Sequence, residues 1–146
     1  MKYCFFILLA VLCVGCDSKI TLNRNHLNLF KEMFQEVTVK KQADKIPDYY
    51  HKDFILISNG KEMNYEEFLS FHQNISETPI QYTVEYDEPT FVEEDNKVSG
   101  RMWITVQLPD EDPKEIEVIL IAQYKGDKLY RLWELTHPDW SREKGV

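Results

Sequence analysis

Past residue 16 the chain contains no cysteine; Cys4, Cys13 and Cys16 all fall at the N-terminal end of a 146-residue sequence. The body of the protein therefore has neither a disulfide framework nor thiol chemistry. Glycine and proline are sparse, at five and six residues, which excludes a collagen-like or proline-rich chain. Basic residues are the minority, since 17 Lys and Arg face 25 Asp and Glu for a net charge of −8. No Lys/Arg cluster is longer than Lys40-Lys41. A chain without a basic face cannot gain from counterion release at phosphates, so nucleic acid is not an expected partner. Long hydrophobic runs are also scarce. The one at residues 3–14 is shorter by a third or more than the roughly 20 residues that span a bilayer. What remains, 43% hydrophobic and 29% charged residues, is the composition of one globular domain.

The N-terminus places Lys2 before that apolar run and follows it with Gly15-Cys16 and the polar Asp17-Ser18-Lys19. This is the layout of an export signal. Leu12-Cys13-Val14-Gly15-Cys16 resembles a bacterial lipobox, in which cleavage after a small residue leaves a Cys that carries lipid, although Cys13 stands where that pattern usually has Leu. The expected division is a signal peptide at 1–15, lipidated Cys16 with a linker over 16–25, one domain at 26–140 and a tail at 141–146. Loss of Lys2 with the signal leaves 16 basic and 25 acidic residues, a net of −9. Anionic lipid would repel such a domain, so acyl chains must hold it at the cell envelope. Ordinary secretion without lipid is the alternative.

Leu27, Phe30, Phe34 and Val37 recur at helical spacing with charged residues elsewhere on the wheel, which predicts a helix capped near Asn23 or Asn25 and fading by Gln42. A second short helix is expected over 43–50, around Pro47. A strand over 54–58 ends in the turn Asn59-Gly60. Asn64 with Glu67 then forms a capping pair for a third helix carrying Phe68, Leu69, Phe71 and His72. From residue 78 the period becomes two. Ile80, Tyr82, Val84 and Tyr86 alternate with polar residues, a strand is expected at Phe91-Val92, and Met102, Ile104, Val106 and Leu108 alternate again. Residues 115–124 are nearly all apolar, which predicts a central strand covered on both faces. Lys125-Gly126-Asp127 reads as a hairpin turn before a last strand over 129–136. Helices first and an antiparallel meander second give an α+β protein.

The order of these elements, the segment YYHKDFILISNGKEMNYEEFLSFH at 49–72 and the ending RLWELTHPDW at 131–140 resemble the SnoaL-like branch of the nuclear transport factor 2 superfamily. The resemblance spans nearly all of residues 26–140. It implies a cone-shaped α+β fold, with three N-terminal helices packed on a strongly curved, mixed but mostly antiparallel sheet around an apolar cavity. Such folds host enzymes and inert binding modules alike, so the site must decide. Aligned with ketosteroid isomerase, the sequence has Phe34, Ser58 and Leu120 where that enzyme has its helix-one Tyr, its base and its protonated Asp. Proton abstraction of that type needs a carboxylate and two donors, and these residues supply neither.

Trp133-Glu134 resembles the aromatic-acid pair of polyketide cyclase-like members, with Glu in place of the usual Asp. An apolar wall around Glu134 would disfavour its charged form and make it a usable acid or base. The alternative is that Glu134 shares a strand face with Tyr130 and Thr136 and pairs with Arg101 or Arg131. His72, one turn from Phe68, could point into the cavity mouth as its partner, or be a packed or capping residue. Glu134 and His72 are thus the candidate catalytic residues. The expected cavity wall is Phe30, Phe34, Tyr49, Tyr50, Trp103 and Trp133, with Trp103 equally placed by strand alternation outside beside Arg101. His51 and Asp53 suggest a proton relay or a half-exposed surface cluster. The four His residues lack paired ligand spacing, and the acidic stretches 93–95 and 110–112 read as solvated turns, so neither a metal nor any other cofactor is expected.

Two functions follow from this reading. One is a non-catalytic envelope module whose cavity binds a small apolar ligand or a partner, with Arg101, Trp103, Thr105 and Gln107 on the outer sheet face as a dimerisation surface. The other is a cyclase-like or dehydratase-like enzyme using Glu134 and His72. The address is open to a direct test. Intact mass of membrane-extracted protein should show a diacyl or triacyl adduct on Cys16, and Cys16→Ser should release the protein from the membrane fraction. Each buried methylene contributes about 0.8 kcal/mol to anchoring; a lipid-free mass cleaved beyond Cys16 would contradict the anchor.

Overall fold

The computed structural model describes residues 25–139. The expected signal peptide, Cys16, Trp140 and the tail at 141–146 lie outside the described residues. Helix α1 (His26–Phe34) begins at Asn25, whose side chain accepts the Asn28 N–H at 3.1 Å. The carboxylate of Glu93, distant in sequence, accepts the N–H groups of His26 and Leu27 at 2.9 and 3.2 Å. Together they satisfy donors that a helix start leaves open and tie α1 to the sheet. Leu29, Phe30, Met33 and Phe34 form its buried stripe, and a wider turn at Gln35–Val39 prolongs it. A 3-10 turn (Ala43–Lys45) leads into the single-turn helix α2 (Ile46–Tyr49), where Pro47 sits in the first turn and loses no helical hydrogen bond.

Strand β1 (Tyr50–Ser58) reverses through Asn59-Gly60, both at positive φ (49° and 80°), into β2 (Lys61–Asn64). Asn-Gly is the pair that such a two-residue hairpin turn prefers. The short β2 was not expected, because Lys61, Glu62, Met63 and Asn64 show no apolar alternation. Helix α3 (Tyr65–Ser76) starts with a complete capping box: the Asn64 side chain accepts the Glu67 N–H at 3.0 Å, and the Glu67 carboxylate accepts the Asn64 N–H at 2.9 Å. The meander follows as β3 (Gln81–Tyr86), β4 (Val92–Glu94), β5 (Lys97–Gln107), β6 (Lys114–Lys125) and β7 (Lys128–His137). Sheet order is β2-β1-β7-β6-β5-β3, with β4 also pairing β5. Only β1 and β7 run parallel; the other pairs are antiparallel, so the sheet is mixed and open-edged. Among the described residues no helix is long and apolar enough to cross a membrane.

Side chains from the helices and from one sheet face form a single core, in which Phe30, Val37, Ile46, Val98, Ala122 and Leu129 have no exposed surface. Among the described residues no helix lies over the opposite sheet face. In β6, Ile116, Val118, Leu120 and Ala122 are buried, whereas Ile119 and Ile121 are 55% and 46% exposed. The expectation that both faces of residues 115–124 are covered is thus corrected. An apolar run signals either double coverage or, as here, one core face and one exposed apolar face.

Alternation also breaks in β7. The β6–β7 pairing passes from Gln123↔Arg131 to Tyr124↔Leu129, which inserts one extra residue at Tyr130. Leu129 and Leu132 both reach the core, and from there Glu134 and Thr136 share the inner side with Leu132, while Trp133, Leu135 and His137 are exposed.

Candidate functional site

Large side chains do not fill all of the space between helices and sheet. A partly enclosed cavity of about 130 Å³ remains. Met33, Phe34 and Thr38 approach it from the first helix and its extension, and Phe68, Phe71, His72 and Ile75 from α3. On the sheet side, Tyr50 and Leu56 of β1, Ile104 and Val106 of β5, and Ile116 and Val118 of β6 continue the wall. Leu132, Glu134 and Thr136 complete it from β7, with Met63 and Tyr82 at the sheet edges. Among the described residues no Lys or Arg lines the cavity. The wall is therefore apolar with a few polar groups, the usual make-up of a small-molecule site.

Glu134 is half-buried on this wall. Its cross-strand neighbours are Ser58 of β1 and Leu120 of β6. Those are the two positions at which the ketosteroid isomerase alignment leaves the chain without an acid; the carboxylate stands on the strand between them. Asn59 fastens this end of the sheet. Its backbone N–H donates to the Glu134 carbonyl at 3.0 Å, its side-chain amide donates to Thr136 Oγ1 at 2.7 Å and Asp139 Oδ1 at 2.9 Å, and its Oδ1 accepts the Thr136 N–H at 2.9 Å. Arg101 is engaged by Asp87 at 2.8 Å and Glu117 at 3.3 Å, and Arg131 donates to the carbonyls of Asp53 and Tyr130 at 2.7 and 2.8 Å. The alternative placement of Glu134, on a shared face with Tyr130, is removed by the extra residue at the latter.

His72 is 8% exposed, with its ring 4.4 Å from that of Phe68 and 5.5 Å from that of Phe71. Burial among these rings lowers its pKa to about 4, so the imidazole is neutral near pH 7. Among the described residues it has no hydrogen-bond or ion-pair partner, and no charge enters the causes of its shift. With its imidazole neutral near pH 7, His72 offers Glu134 no imidazolium. Tyr50, 3% exposed and packed on Phe54 and Phe68 at 4.8 and 4.7 Å, is held protonated well above the ordinary range of a phenol. Burial is the main cause, and the charges of Tyr124 and Glu134 add to it.

Phe34 and Tyr50 line the cavity; four other residues expected there do not. Phe30 lies deeper, with its ring 6.3 Å from that of Phe91. Tyr49 turns outward and donates to Glu32 at 2.9 Å. Trp103, under the Arg101 guanidinium at 4.9 Å, and Trp133, 38% exposed, belong to the opposite sheet face. His51 and Asp53 also lie off the cavity: His51 Nδ1 accepts the Asp53 N–H at 3.1 Å, and its ring edge meets Tyr130 at 5.4 Å. Sequence reasoning missed Thr136, Met33 and Ile104 as wall residues and Asn59 as a clamp. Only the turn-forming role of Asn59 had a local signal. No cluster of three His, Cys, Asp or Glu able to hold a metal occurs among the described residues.

No protein-family model matches the sequence, and no curated protein does. Solved structures do match. An LEH-like epoxide hydrolase of M. tuberculosis superposes with a TM-score of 0.66 at 8% identity, over 79% of this chain and 85% of that one. PrhC of Penicillium brasilianum gives 0.64 at 14%, over 77% and 80%. IdmH of Streptomyces antibioticus, described as a candidate polyketide cyclase, gives 0.61 at 12%, over 83% and 99%. The chain has the nuclear transport factor 2-like fold. At these identities the likeness extends to fold alone.

A pH dependence follows from His72. Its folded pKa, about 4, lies below the unfolded value near 6.5, so between them the unfolded chain binds the extra proton. Stability is highest above pH 6.5 and falls as pH drops toward 4, by about 3 kcal/mol from this group. Urea unfolding at pH 7 and 4.5 should show a shallower loss for His72→Phe than for the wild type. Equal losses would contradict the assignment.

Proposed function

We propose that the protein is a ligand-binding module of the cell envelope, with a small apolar molecule seated between α3 and the sheet. One observation carries the reading: a 130 Å³ space within the core whose wall is mostly apolar. An apolar cavity of roughly 150 Å³ holds benzene, so this one fits a one-ring molecule or the ring of a larger one. Toluene at ten times its Kd should stabilise the wild type by about 1.4 kcal/mol. Ile104→Trp, which places an indole in the cavity, should abolish the gain. Equal stabilisation of both proteins, or of neither, would contradict the site.

Proton transfer by Glu134 on a bound molecule is the second reading, favoured by the carboxylate's place on the same wall. It would make the protein cyclase-like or dehydratase-like. The absence of a charged His72 beside Glu134 weighs for binding over acid–base catalysis.

Export and a lipid anchor at Cys16 belong to the same proposal, supported by the lipobox-like sequence. So does a homodimer through the outer sheet face, whose apolar centre lies on β6 and β7 beside the β5 residues Arg101, Trp103, Thr105 and Gln107. Ile119 stands opposite Leu135 and Ile121 opposite Trp133, all exposed, and Ile57 of β1 adjoins Trp133. A contiguous patch of this kind marks an interaction surface. Sedimentation of the domain should give a dimer that Ile121→Glu with Leu135→Glu converts to monomer. A wild-type monomer at high concentration would contradict it.

A further inference from the structure

The polar atoms of the cavity say more about its occupant than its volume does. His72 is buried, lines the cavity and has no hydrogen-bond partner among the described residues, its ring packed against those of Phe68 and Phe71. A buried imidazole left without partners gives up its hydrogen bonds to water with no return. Its nitrogens are not among the polar atoms that the described protein seals off without a partner, so the group is open to a partner within the cavity, water or ligand.

Resting on the one-ring reading above, we propose that His72 is the ligand-reading group and selects a neutral molecule bearing a hydroxyl or carbonyl oxygen on an apolar ring. A neutral imidazole offers one N–H donor and one lone pair, which a hydroxyl matches in either tautomer and a carbonyl matches through the donor. Its neutrality near pH 7 means that it gives an anionic ligand no counter-charge. Among the described residues the wall holds no Lys or Arg to do so, and Glu134 faces the same space. A carboxylate of the same size would enter without compensation for its lost hydration, so it is rejected. A plain hydrocarbon fills the space but leaves the imidazole unsatisfied.

Phenol and toluene have the same number of heavy atoms and differ in hydroxyl against methyl, so the pair isolates this interaction. With the wild-type protein near pH 7, phenol should bind about five- to tenfold more tightly than toluene, the equivalent of one net hydrogen bond. Benzoate should not bind measurably. Phenol, and not toluene, should shift the His72 ring-nitrogen resonances, a readout that a merely structural histidine would not give. His72→Phe should bring phenol to the affinity of toluene or below while toluene is retained, and His72→Gln should restore part of the preference. Should His72→Phe fail to fold, the wild-type nitrogen shifts decide. Toluene binding as tightly as phenol, or nitrogen resonances unmoved by phenol, would overturn the role of His72 and leave the cavity standing. Binding of neither molecule would overturn the cavity reading itself, and this inference with it.

Discussion

One extra residue in β7 organises both faces of the sheet. In a strand with strict alternation, Tyr130 would share a side with Glu134 and Thr136, and a one-residue offset exchanges every side chain between core and solvent. The insertion at Tyr130 absorbs that offset. Upstream of it Leu129 is fully buried; downstream Leu132, Glu134 and Thr136 turn inward, and Trp133 and Leu135 turn out. The acid on the cavity wall and the apolar patch on the outer face are thus consequences of the same backbone feature. Asn59 holds the result in place by bonding Glu134 and Thr136 from the turn that ends β1.

The chemistry of the cavity follows from desolvation more than from charge pairing. Phe68, Phe71 and the wall around them keep His72 uncharged, and burial keeps Tyr50 protonated, with Glu134 adding to the effect. Three of the four titratable groups on the wall, Tyr50, His72 and Tyr82, whose phenol burial also raises, are therefore neutral hydrogen-bonding groups near pH 7. Such an environment orients a polar atom on an apolar ligand well. It gives little of the charge that a proton-transfer couple needs, which is why binding takes precedence over catalysis in this account.

Much of the fold was legible because its signals are local. Asn25, the Asn64–Glu67 box and the Asn59-Gly60 turn each fix a boundary through chemistry contained in a few residues. The period-two stretches marked β3 and β5, the apolar run marked β6, and the order of elements pointed to the fold. The site was less legible. Phe34, Tyr50, His72 and Glu134 could be placed on the wall, but Phe30 could not be separated from Phe34, since both lie on the buried stripe of α1 and the packing of the former against Phe91 is a tertiary contact. Trp103 and Trp133 were misplaced because local sequence does not say which side of a strand faces the helices. The apolar run in β6 was read as doubly covered for the same reason: coverage is a property of the tertiary structure, and Ile119 and Ile121 carry no mark of it.

The central claim is that the space beneath α3 is a ligand site and not an incidental packing defect. Methyl-labelled protein saturated with phenol tests it through intermolecular nuclear Overhauser effects. The account predicts contacts from the phenol ring to the methyl groups of Met33, Met63, Ile104 and Leu132, which approach the cavity from both helices and sheet. Contacts confined to Ile119, Ile121 and Leu135 on the outer face, with the four inner methyl groups silent, would contradict it.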